Sequence, residues 1–197
     1  MSNDIPLSCR CGSFKAVIHD ANSKTGNHAI CYCVDCQAFA RHLGQAGRVM
    51  DEKGGTEIYQ TQPYQVEILA GAEHLAVLQL AEKGLYRWYT NCCNTPICNT
   101  LGTPKFSFAG FLTANMTDNF DATGPVQFRY KREQALAPVA EPSGSLARFA
   151  FRTMRRAAMS RITGKWKKTP FFDAATGRSL AKPTRLSEAE RSAAYSA

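Results

Sequence analysis

Cys31-Tyr-Cys33-Val-Asp-Cys36 places three sulfurs within six residues, and the reading of this stretch decides how the rest of the chain is understood. Thiolates one to three residues apart can face a single tetrahedral ion from one tight turn. Three protein ligands with an open fourth position make a catalytic zinc site, whereas four closed ligands make a structural one. Two further clusters stand far away in the chain, Cys9-Arg-Cys11-Gly12 and Cys92-Cys93 followed by Cys98. Seven of the eight cysteines fall in C-x-C, C-x-x-C or C-C spacings, and two such turns can complete a site.

Compartment decides whether such sulfurs bind a metal or each other. The opening Met-Ser-Asn-Asp-Ile-Pro-Leu-Ser has neither a positive n-region nor an apolar h-region, which predicts a cytoplasmic protein with reduced thiols. No run approaches the roughly 18 apolar residues needed to span a bilayer. Eight cysteines in 197 residues are also sparser than the ~8–10% of a disulfide scaffold. Zinc is therefore preferred to disulfides. In the adjacent pair Cys92-Cys93, one sulfur could instead be a buried small hydrophobe.

Charge divides the chain unevenly. Residues 1–128 carry 9 Lys and Arg against 11 Asp and Glu, whereas residues 129–197 carry 15 against 5. The overall charge of +8 thus belongs to the C-terminal third, a pattern that marks segments meeting nucleic acid, anionic lipid, another subunit or an anionic substrate.

The first part reads as β-rich. Short strands are predicted at Phe14-Lys-Ala-Val-Ile18, Gln65-Val-Glu-Ile-Leu69, His74 to Leu80, Leu85-Tyr-Arg-Trp-Tyr89, Phe106 to Leu112 and Val126-Gln-Phe-Arg-Tyr130. Ala70-Gly-Ala-Glu73 between the second and third of these is a hairpin signal. Such a meander favours a small sandwich or open barrel over a parallel sheet. Gln37 to Leu43 reads as a helical turn or two, and no long period recurs. In the tail, Leu146, Phe149, Ala150, Thr153, Met154 and Ala157 share one side of a helix near 145–163. Arg148, Arg152 and Arg155 lie opposite, with Arg156 at the margin. The apolar side is expected to dock on the domain or on a second copy, giving a homo-oligomer. A short, fraying helix is expected after Leu186.

Taken together, Cys9-Arg-Cys11-Gly12, Cys31-Tyr-Cys33-Val-Asp-Cys36 and Tyr89-Thr-Asn-Cys-Cys-Asn-Thr-Pro96 resemble the glutathione-dependent formaldehyde-activating enzyme family, which also includes the centromere protein V group. The resemblance covers roughly residues 7–130. It implies a mainly β, zinc-bound β-tent of packed antiparallel sheets over residues 1–135, followed by a basic, partly helical extension over 136–197. It also implies two zinc ions per chain. Cys9, Cys11 and Cys93, with Cys92, would hold the structural ion, and Cys31, Cys33 and Cys36 the catalytic one. One departure stands out: the family's F-C-x-x-C-G-T-P has its first cysteine replaced by Thr90 and its glycine by Asn94. Threonine is not a usual zinc ligand, so either Cys92, or less readily Cys98, swings in, or the structural zinc is damaged and weakly bound.

What the resemblance implies chemically is a carbon–sulfur lyase. The thiolate of glutathione, or of another small thiol, adds to formaldehyde, and the reverse step breaks the carbon–sulfur bond. The three cysteines of the open site would be ligands rather than nucleophiles. Asp35, His28 and His42 lie close in sequence and could move the proton, although turn capping is the plainer role for Asp35 and a surface hydrogen bond for either histidine. Tyr86, Trp88, Tyr89, Phe106, Phe108 and Phe111 read as sheet packing. Gly54-Gly55 is no phosphate loop, since no Lys-Ser or Lys-Thr follows it. The alternative function is a non-catalytic, zinc-stabilised binding module whose basic tail contacts nucleic acid, a membrane surface or a protein partner.

Overall fold

The computed structural model describes residues 3–196. Met1 and Ser2, which begin the stretch read for a leader, and Ala197 lie outside the described residues. The chain is mainly β. A three-stranded antiparallel sheet joins β1 (Ile5–Ser8), β2 (Lys15–Ile18) and β5 (Val66–Ala70) in the order β1-β2-β5.

The larger sheet has eight strands: β3 (Asn27–Cys31), β4 (Thr56–Thr61), β6 (Leu75–Gln79), β7 (Tyr86–Thr90), β8 (Thr95–Thr100), β9 (Ala109–Leu112), β10 (Phe128–Tyr130) and β11 (Pro183–Arg185). Their spatial order is β10-β3-β4-β9-β8-β7-β6-β11. Its interior pairs are antiparallel, and only the two outermost pairs, β10–β3 and β11–β6, are parallel.

The two sheets close on one another because each presents an apolar face. Ile5, Leu7, Phe14 and Ile18 from the smaller sheet and its turn meet Tyr59, Val77, Trp88, Cys98 and Phe111 from the larger. Trp88 is fully buried; its Nε1 donates to Thr100 Oγ1 at 2.9 Å, and its ring packs 4.9 Å from Phe171 and 6.0 Å from Phe172. Two residues of the basic C-terminal third thus complete the main core. Four helices surround the sheets: α1 (Val34–His42), α2 (Ala46–Val49), α3 (Leu146–Ile162) and α4 (Glu188–Tyr195). Helix α4, opened by a Ser187–Glu190 capping box, lies against α1 over Ala38, Phe39, Leu43, Leu78 and Leu80.

Two expectations are corrected. Ala70 to Glu73 is not a hairpin: β5 pairs with β2 and β6 with β7, so the two strands belong to different sheets. Gly71 takes a left-handed φ of 73°, and the single 3-10 turn Ala72–His74 redirects the chain from one sheet to the other. A Cβ at Gly71 would run into the Ser13 carbonyl oxygen, so only glycine fits this corner.

Helix α3, present where the sequence places one, docks through part of the expected side, with Phe149, Thr153 and Ala157 inward, but is rotated so that Arg156 and Ser160 are buried beside them. Its buried residues are Thr153, Arg156, Ala157 and Ser160, while Leu146 and Met154 are exposed. Hydrogen bonding anchors the inward side: Thr153 Oγ1 donates to Gln60 Oε1 at 2.9 Å and accepts from Asn27 Nδ2 at 3.0 Å. Arg152 donates to Gln127 Oε1 at 2.9 Å and to the Ser23 carbonyl. Among the described residues, no helix is long and apolar enough to cross a membrane.

Candidate metal centres

The β1–β2 turn and the β7–β8 turn meet end to end and bring Cys9, Cys11, Cys92 and Cys93 together, all four sulfurs lying within 4.8 Å of one another. Local backbone chemistry shapes both turns. Cys9 N donates to Phe14 O at 3.1 Å, Gly12 takes φ 77°, and Phe14 N donates to Cys9 Sγ at 3.3 Å. In the second turn Asn94 occupies the left-handed region at φ 54°, a conformation asparagine tolerates better than most residues, which is how it stands where a glycine was expected. Sγ separations are 3.5 Å for Cys9–Cys11, 3.4 Å for Cys11–Cys92, 3.9 Å for Cys9–Cys92 and 3.8 Å for Cys92–Cys93. Four thiolates about 2.3 Å from a tetrahedral zinc stand about 3.8 Å apart, so the donor set fits such an ion.

The Thr90 departure is resolved by this geometry. Cys92 takes the fourth position, and Thr90 Oγ1 instead lies 3.5 Å from Cys93 Sγ. Burial pushes the Cys93 thiol up, but hydrogen bonding by Thr95 and Thr90 outweighs it and brings the thiol down to about 5. Cys98 takes no part: it points into the main core, fully buried, and burial drives its thiol well above the ordinary value.

The second cluster sits where β3 ends and α1 begins. Cys31 is the last residue of β3, Cys33 is the N-cap of α1, and Cys36 lies in its first turn. Cys33 Sγ is 3.3 Å from Cys31 Sγ and accepts from Cys36 N at 3.4 Å, and Cys36 Sγ is 3.7 Å from Cys31 Sγ. A helix N-terminus favours negative charge, so thiolates gain there what burial would otherwise cost. Among the described residues, only these three cysteines gather here, and they open into a cavity of about 690 Å³. The chemistry of the set, three soft sulfurs at thiolate spacing with space beside them, fits a metal ion with a free coordination position.

Arg87, which sequence reading did not single out, is the counter-charge of this site. It is buried on β7, with Nη1 3.7 Å from Cys36 Sγ and 3.4 Å from Asn99 Oδ1, and Nη2 3.6 Å from Asp35 Oδ2. The neighbouring thiols of Cys31 and Cys33, then the Arg87 charge, hold Cys36 well below the ordinary thiol range. Burial pulls Arg87 down, but the Cys36 charge more than restores it. The available signal was an arginine inside an otherwise aromatic strand, facing away from Trp88 by alternation.

Of the candidate proton carriers, only Asp35 reaches the cavity. Its Oδ1 accepts from Tyr195 Oη of α4 at 2.6 Å. His28 is turned away and held by the Gly124 carbonyl at 2.6 Å and by Glu57 Oε1 at 2.8 Å, and His42 is not among the residues lining the cavity.

The rest of the cavity follows from strand register. Gln60, Gly110, Asn99 and Arg87 form one row across β4, β9, β8 and β7. Gly110 has no side chain, which leaves the middle of the row open. The walls are apolar, with Ile58, Leu101, Phe108, Phe128 and Phe149, and Lys131 and Gln134 stand at the rim.

No curated protein matches the chain. Among solved structures, the crystal structure of a Rhodobacter sphaeroides protein aligns with a TM-score of 0.42 at 17% identity, covering 64% of this chain and 99% of that one. Residues 1–182 match the family described as of unknown function, DUF6151, and the chain belongs to that family.

Proposed function

We propose that this protein is a zinc-dependent carbon–sulfur lyase of the formaldehyde-activating type, built on a β-tent and acting on the adduct of a small thiol with an aldehyde. The single observation behind the proposal is the open set Cys31, Cys33 and Cys36 beside a cavity, contrasted with the four-cysteine set formed by the β1–β2 and β7–β8 turns. Cys9, Cys11, Cys92 and Cys93 would hold a structural zinc. A zinc at Cys31, Cys33 and Cys36 would supply the Lewis acid that keeps a substrate sulfur deprotonated at neutral pH.

The chain's own residues supply the remainder. Arg87 offsets the negative charge gathered on three thiolates. In the cleaving direction the adduct's hydroxyl loses its proton, its oxygen forms the carbonyl, and the carbon–sulfur bond breaks with the electron pair passing to sulfur. The proton lost from oxygen is the one the thiol regains. Asp35 would carry it, a role supported by the contacts of its carboxylate with Tyr195 Oη at 2.6 Å and Arg87 Nη2 at 3.6 Å. The walls of Ile58, Phe108 and Phe128 favour a thiol with an apolar body. Glutathione, with two carboxylates and an ammonium group, is the substrate of the formaldehyde-activating family that the cysteine motifs resemble, and the first compound to compare.

The reading is tested by following aldehyde release from adducts of glutathione and of benzyl mercaptan, with wild type and Cys33→Ser. We expect turnover of at least one adduct by wild type and its loss in a folded Cys33→Ser protein that retains one zinc. Wild type that carries two zinc ions yet turns over neither adduct would remove the lyase reading.

A further inference from the structure

Helix α3 is apolar on its outer side as well as in part of its inner one. Inward it buries Thr153, Arg156, Ala157 and Ser160 and packs Phe149 on Phe128. Its outward side carries Ala147, Phe151, Met154, Ala158 and Ile162, spaced four, three, four and four residues apart in one stripe. Phe151 is 66% exposed, Met154 57% and Ile162 78%. Isolated apolar residues on a surface need no explanation, but a continuous stripe over three helical turns does.

The charges around the stripe identify what covers it. Arg148 and Arg155 border it on one side and Arg161 on the other, and no Asp or Glu occurs from Leu146 to Ile162. Beyond the helix, Lys165, Trp166, Lys167 and Lys168 continue the basic character, with the Arg161 guanidinium 4.4 Å from the centre of the Trp166 ring. A second copy packed face to face would set arginines against arginines, because a two-fold contact meets itself. A nucleic acid would satisfy the arginines but leave Phe151 and Ile162 in water. A surface that is anionic outside and apolar a few ångströms deeper satisfies both sets at once, and that is an anionic lipid bilayer.

We infer that α3 is an interfacial anchor: the protein docks reversibly on anionic membranes, with Phe151, Met154 and Ile162 entering the acyl boundary and Arg148, Arg155, Arg161 and Lys165 pairing with headgroup phosphates. The inference does not depend on the lyase proposal. Phe149 of the same helix lines the cavity beside Cys31, Cys33 and Cys36, so docking would bring that cavity within one helix diameter of the bilayer.

The test is co-sedimentation of the full chain with vesicles of phosphatidylcholine alone and of phosphatidylcholine with phosphatidylglycerol at two salt concentrations. We expect binding to the anionic vesicles to exceed binding to the neutral ones at least tenfold and to weaken with salt. The double variant Phe151→Ser/Ile162→Ser should lose at least tenfold in vesicle affinity with an unchanged melting temperature, since both side chains are exposed. A second readout does not depend on that variant folding: brominated lipids should quench Trp166 in the wild-type protein, while Trp88 is sealed in the core. Equal sedimentation with and without anionic lipid, or no quenching, overturns the inference. So does a concentration-dependent dimer abolished by Phe151→Ser/Ile162→Ser, or tight salt-sensitive binding to duplex DNA with none to vesicles.

Discussion

At the residue scale, Arg87 is the side chain on which the open cysteine site depends most after its own sulfurs. It is buried, it touches Cys36, Asp35 and Asn99, and its guanidinium lies 5.5 Å from the Phe39 ring centre. Arg87→Met keeps the bulk but leaves thiolates and a carboxylate facing one another without a cation. Groups that orient and neutralise metal ligands are typically worth about 10–100-fold in affinity. We expect Arg87→Met to lose zinc from Cys31, Cys33 and Cys36 in a chelator competition at about that factor, while the zinc at Cys9, Cys11, Cys92 and Cys93 stays in place. Loss of both ions together would mean that Arg87 supports the fold rather than the site.

The cysteines themselves were legible because metal-ligand spacing is local, requiring only that one turn present two or three sulfurs. Arg87, Gln60 and Asn99 were not, because their common row is a product of pairing across β4, β9, β8 and β7. Register of that kind is written in no short window of the chain.

At the element scale the same division holds. Strands with strong alternation or aromatic content, such as β7, could be read directly. β8, Thr95–Thr100, is buried along its whole length yet holds two threonines and an asparagine, so its central position was masked by its polarity. The turn at Gly71 looked like a hairpin because both flanking runs are apolar; only the sheet partner decides whether a glycine corner folds a strand back or sends it to another layer. Helix α3 shows the limit of a helical wheel: Thr153, Ala157 and Phe149 face inward as read, but Leu146 and Met154 are exposed while Arg156 and Ser160 are buried, a rotation set by tertiary partners such as Asn27 and Gln60.

The C-terminal third holds the clearest energetic test. Phe171 is almost fully buried against Trp88 and Phe111. Truncating a buried phenylalanine costs about 3–5 kcal/mol. We expect Phe171→Ala to lower stability in denaturant titration by that order. A change below about 1 kcal/mol would show that the extension adds little to the fold.

At the scale of the whole molecule, the two cysteine sets lie in different mechanical positions. Cys31, Cys33 and Cys36 join a strand to the helix that directly follows it, so an ion held there would tie together neighbours that the chain already connects. Cys9 and Cys11 belong to the turn of the smaller sheet and Cys92 and Cys93 to a turn of the larger one. Cys11→Ser is therefore expected to lower the melting temperature far more than Cys33→Ser does. Structural metal supplies folding free energy directly, and calorimetry of the two variants checks the order. Equal destabilisation would remove the distinction between the sites.

With an ion bound, the four-sulfur set would also act as a rivet between layers that share no strand pairing. Cys9 and Cys92 are 83 positions apart, so an ion between them closes a loop nearly half the length of the chain. If its effect on the unfolded state is like that of a disulfide, such a closure is worth about 4–5 kcal/mol by the chain-entropy estimate. Whether the sheets stay clasped would then follow the supply of available zinc and the redox state of four thiols, three of which are only partly buried or exposed. A cell that withdrew zinc or oxidised those sulfurs would loosen the seam between the sheets first, and with it the packing around Phe14.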